Sequence, residues 1–144
     1  MTSPTQALNI PAAATPSLSV PASADQLALL RAVVRAAADH HGLTMEALAD
    51  LVLAADEAAT TLISHARRSS TLTCAFDTVT APTVLRVVLT ATTSSPVDAS
   101  TSSFGWLVLK TLVDHVALEQ TAAATTEGDR TATITLEKTL PARS

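Results

Sequence analysis

Residues 51–66 read LVLAADEAATTLISHA, and the periodicity of this stretch decides the fold. Leu48, Leu51, Ala55, Ala59, Leu62 and Ala66 recur at steps of three and four, the spacing of an apolar helical stripe. At about 100° per residue, Glu57 and Thr61 fall on the opposite side, one turn apart, with Ser64 beside them. A carboxylate and a hydroxyl four residues apart on a helix can address one ligand together.

On the N-terminal side, Thr44 is the expected N-cap of this helix, and Glu46 sits favourably in its first turn. An earlier helix opens at Ser23, with Gln26 at capping-box spacing, and runs to His41. Leu27, Leu30, Val33, Val34 and Ala37 form its apolar face, and Gly42 ends it. Leu18-Ser19-Val20 alternates as a short strand closed by Pro21. Residues 1–16 hold Pro4, Pro11 and Pro16 among Ala, Thr and Ser, and read as a flexible tail.

On the C-terminal side the period changes at Ser69 from helical to alternating. Leu72, Cys74 and Phe76 share one face of a strand. From Val84 to Thr92, Leu85, Val87 and Leu89 point one way and Val88 the other. Residues 93–102 form a Ser/Thr-rich loop with Pro96. A third helix, from Ser103 to Asp114, is expected to pack through Leu107, Leu109, Leu112 and Val113. Val116–Ala123 and Arg130–Glu137 make a last hairpin around Glu127-Gly128-Asp129. The order β-α-α-β-β-α-β-β predicts an α+β, two-layer sandwich with helices on one face of a mostly antiparallel sheet. Residues 17–144 are expected to form one domain.

Hydrophobic residues make up 47% of the 144 residues and charged ones 15%, a globular composition. Aromatics are limited to Phe76, Phe104 and Trp106, so the core must be aliphatic, and Trp106 can serve either the core or a partner. With a net charge of −4 and no Lys/Arg run, direct nucleic-acid binding is not expected. No apolar run has the length of a membrane span. The lone Cys74 cannot form an internal disulfide, which favours a cytoplasmic setting. His40, His41, His65 and His115 lack the spacing of a metal site, and no Walker A or Gly-x-Ser-x-Gly motif is present.

The central helix carries a resemblance. Leu53, Asp56, Glu57, Ala58, Ile63, His65 and Ala66 fit the pattern L-x-x-D-E-A-x-x-N-x-I-x-H-A. That pattern resembles the bacterial anti-sigma factors and switch-protein serine kinases of the GHKL (histidine-kinase-like) ATPase superfamily. The resemblance runs from Leu18 to Glu137. It implies a homodimer that sequesters an alternative sigma factor of the stress or sporulation class. It further implies an antagonist, an anti-anti-sigma partner of the STAS type, whose serine an active member phosphorylates with ATP and Mg²⁺.

The resemblance also assigns residues. Glu57 stands at the general base that activates the attacking hydroxyl. Thr61 replaces the asparagine that holds Mg²⁺, keeping one hard oxygen donor but losing the amide reach; a tolerated helix threonine explains it equally well. The adenine-reading Asp-x-Gly is missing from Ala91-Thr92-Thr93-Ser94-Ser95-Pro96, which leaves Thr93 as the nearest candidate. Gly105 alone remains of the second glycine loop, either for phosphate at a helix N-terminus or for a tight start to that helix. Arg31 matches an arginine that contacts the sigma factor and its antagonist, and an ordinary solvated arginine is the plain alternative. Three functions follow: an anti-sigma factor, an active serine kinase, or a nucleotide-free interaction module with another partner.

Overall fold

The structure is a computed structural model, and it describes residues 16–80, 83–99, 103–123 and 128–141. The expected tail 1–16 lies outside the described residues except for Pro16, and the tip of the last hairpin lies partly outside them. Strand β1 (Ser17–Pro21) leads through a 3-10 turn (Ala24–Gln26) into α1 (Leu27–His40) and α2 (Met45–His65). Strands β2 (Thr71–Val79) and β3 (Val84–Thr93) follow, then α3 (Phe104–Leu112), β4 (His115–Ala122) and β5 (Arg130–Thr139). The strands form one sheet in the order β1-β2-β3-β5-β4, with every pair antiparallel. The α+β sandwich read from the sequence is the fold.

Alternation on each strand builds the core in rows. Cys74, Leu89 and Ile134 lie side by side across β2, β3 and β5, and so do Phe76, Val87 and Leu136. All six are buried against the helices. The opposite face is open and rich in hydroxyls, including Ser19–Thr73 and Thr90–Thr133 pairs at 3.3 and 3.2 Å. At one end of that face Arg86 bridges Asp77 and Glu137.

Helix ends follow local chemistry. The Thr44 hydroxyl accepts from the Ala47 N–H at 3.1 Å, the N-cap expected of it. The capping box at Ser23 does not form: its hydroxyl donates to Asp25, and a 3-10 turn precedes the helix. At the end of α1, Leu43 N–H reaches Ala38 C=O at 3.1 Å and Gly42 N–H reaches Asp39 C=O at 3.0 Å. That is a Schellman turn; Gly42 at φ 80° supplies its left-handed residue, and buried Leu43 packs at its end. On α3, Leu109 is buried as expected, but Leu107 faces solvent.

The aliphatic core also encloses Cys74, whose thiol burial pushes up to about 12. Two results are expected. Cys74 should react with a thiol reagent at pH 8 only as fast as the protein opens, which denaturant-dependent labelling will measure. In the unfolded chain the thiol ionises near its ordinary value of 9.0, while the folded chain keeps its proton up to about 12. This contribution to stability is therefore intact below pH 9 and declines above it.

Candidate functional site

The stripe that faces the sheet from α2 is broader than its sequence pattern. Ala54, Ala58 and Val52 are buried together with Leu51, Ala55, Ala59 and Leu62. Helix α3 packs against α2 on the flank that carries Glu57. Lys138 fastens one end of this pair, donating to Asp50 at 3.4 Å and to the Leu112 carbonyl at 2.7 Å. At the other end, Gly105 meets Glu57.

That meeting is close. A Cβ added to Gly105 would lie 2.7 Å from Glu57 Oε2 and 3.6 Å from its Cδ. Only a residue without a side chain allows the first turn of α3 to approach the carboxylate this nearly. Ser103 caps the same turn, accepting from the Trp106 N–H at 3.4 Å. The carboxylate thus sits beside the positive end of a helix, where an anionic group is favoured. Thr61 completes the group. Its hydroxyl donates to the Glu57 carbonyl at 2.9 Å and lies 3.5 Å from Glu57 Oε2. Glu57 and Thr61 are half-buried rather than solvated, because α3 covers their side of the helix.

Thr93 stands apart from this group. It ends β3 and bridges Ala66, just past the C-terminus of α2. From Glu57 to Ala66 the helix rises about 13 Å, at 1.5 Å per residue. Thr93 is fully buried, and among the described residues its hydroxyl has no hydrogen-bond partner. Leaving a hydroxyl in that state costs about 1–3 kcal/mol, which a polar ligand atom reaching it would relieve. A nucleotide spanning these candidates would run along α2 from Thr93 to Glu57. The residues fit such a ligand poorly at its two ends: Thr93 is fully buried at one, and the Glu57 carboxylate already meets the Gly105 turn at the other.

Magnesium is a poorer match. The Thr61 hydroxyl is held back against the helix backbone, and Glu57 is the one carboxylate beside it. Among the described residues, no three His, Cys, Asp or Glu side chains converge as a metal site.

Two arrangements have no periodic signature in the sequence. The Gln120 side chain clamps the backbone of Val97, accepting from its N–H at 2.9 Å and donating to its carbonyl at 3.1 Å. This draws the loop after β3 inward and buries Val97. The second is an ion pair between Arg31 and Asp56 at 2.6 Å, with side chains 45% and 32% exposed. The signal for it was Asp56 itself, next to Glu57 in the helix motif. Arg31 is thus a partly exposed surface group tied to α2.

Trp106 packs against the core from α3, whereas neighbouring Phe104 is exposed. Among the described residues, no helix is long and apolar enough to cross a membrane.

Comparison with known proteins gives the chain's relatives. The chain is 38% identical over 101 residues to the anti-sigma-F factor RsbW of Mycobacterium tuberculosis, from strains CDC 1551 / Oshkosh and ATCC 25618 / H37Rv. The match covers 69% of this chain and 58% of each relative, so the chain spans little more than half their length. Residues 20–132, from β1 into β5, match the histidine kinase-like ATPase domain, the fold that the Glu57 helix implied. The chain belongs to the family of histidine kinase-like ATPase domains.

Proposed function

We propose that this protein is an anti-sigma factor that sequesters an alternative sigma factor of the stress or sporulation class. An anti-anti-sigma protein of the STAS type would counter it, and the working form would be a cytoplasmic homodimer. The observation that carries this reading is the 38% identity to anti-sigma-F factor RsbW. Arg31, fixed by Asp56 and still offering guanidinium donors, suits an acidic side chain of either partner. Co-purification with candidate sigma factors, with and without ATP, tests the reading. Retention of one sigma factor supports it, and failure to retain any would overturn it.

Several residues argue against efficient ATP-dependent kinase activity. Residues 91–96 offer no carboxylate to the adenine amino group and no glycine to admit the base. Thr61 in the metal-binding position has a short reach. Each lost polar contact costs about 1–3 kcal/mol in a dry pocket. Isothermal titration with ATP and Mg²⁺ is therefore expected to give no saturable binding in the micromolar range. Micromolar affinity would instead favour a second reading, an active serine kinase that phosphorylates its antagonist. The closeness of Glu57 to Gly105 is the observation in that reading's favour.

A further inference from the structure

The outer side of the α1–α2 pair carries a groove of about 700 Å³, away from Glu57 and Gly105. Ala32, Arg35, Ala36 and Asp39 of α1 line it, facing Met45, Leu48 and Ala49 of α2. Leu29 continues the α1 stripe one turn before Ala32, and Leu53 continues the α2 stripe one turn after Ala49. Leu29, Met45 and Leu53 are 48%, 88% and 58% exposed, three of the five large exposed hydrophobic residues among those described. Apolar side chains gathered in this way around a small-residue floor mark a contact surface.

The charges on this surface identify the occupant. Arg35 and Asp39 lie one turn apart on the groove's α1 wall with opposite signs. Neither has an ion-pair or hydrogen-bond partner for its side chain among the described residues. A two-fold interface brings the same patch of two subunits together, so it must be complementary to itself. Two α1 helices crossing antiparallel would set Arg35 of each against Asp39 of the other. Ala32 and Ala36 would allow the helices a close approach, and each protruding Met45 would enter the facing groove.

We propose that this groove is the contact surface between two copies of the chain. The inference rests on the homodimer reading above and names its surface. The test is sedimentation equilibrium over a concentration series. It compares the wild type with Arg35→Glu, with Asp39→Arg, with the double exchange of the two and with Thr90→Lys on the open sheet face. Circular dichroism of each variant reports on folding.

Each single reversal turns two attractive contacts into two repulsive ones, and is expected to weaken dimerisation by about tenfold or more. The double exchange restores opposite signs and should recover the dimer, which also shows that the chain still folds. Thr90→Lys should leave it intact. A wild type that stays monomeric throughout would overturn both the homodimer and this surface. A dimer unaffected by the single reversals, or one broken by Thr90→Lys alone, would overturn the surface and leave the homodimer standing. Failure of the double exchange to recover the dimer would also overturn the surface.

Discussion

Leu62→Ala is expected to destabilise the protein by about 2–5 kcal/mol, the range for truncating a large buried aliphatic residue. Leu62 is fully buried on the sheet-facing side of α2, with Ala58, Ala59 and Ala55 nearby on the same helix. Alanine neighbours have no side-chain length with which to refill the space, so the cavity would persist and the cost should fall in the upper part of that range. With only Phe76 as a buried aromatic, no larger side chain compensates. Phe104→Ala is the control. That side chain is 81% exposed, and its loss should change stability by no more than about 0.5 kcal/mol. Urea unfolding of both variants, with slopes compared to the wild type, decides the matter. Equal losses would mean that the core is not centred on α2.

The second large effect is expected at Arg31. Arg31→Glu should weaken the proposed sigma-factor complex by a few kcal/mol while leaving the fold intact. Within the protein, the change places a carboxylate beside Asp56, at a site where wild-type side chains are partly solvated. Exposed pairs are worth about 0–1 kcal/mol, so the loss of folding stability should stay in that range. Across an interface the same reversal acts on a desolvated contact, where charge pairs are worth more. Asp56→Asn separates the two contributions. It frees Arg31 without reversing its charge, so binding should fall less than in Arg31→Glu. A binding titration paired with circular dichroism reads both. Unchanged affinity with an unchanged spectrum would return Arg31 to the role of a surface ion pair.

If both results hold, the platform and its outer face are separable. The buried side of α2 sustains the domain, and the rim formed with α1 meets the partner.

Periodicity alone determined the elements of this protein. The shift at Ser69 from three-and-four spacing to alternation separates helices from strands, because a helix and a pleated strand repeat on different lengths. Thr44 and Gly42 marked helix boundaries for equally local reasons: a hydroxyl for free N–H groups, and a residue that tolerates positive φ. The motif around Glu57 also carries the family's signature within a single helix. What the sequence did not contain was distance. Gly105 lies 48 positions from Glu57, and only the packing of α3 against α2 brings them together. Arg31 and Asp56 are on separate helices, Gln120 and Val97 on a strand and a loop, and no repeat links either pair. The burial of Thr93 without a partner among the described residues, the exposure of Leu107 and the groove beside Met45 likewise arise from how the side chains of separate elements meet. Such contacts depend on the summed shape of many residues, which no single stretch of the chain encodes.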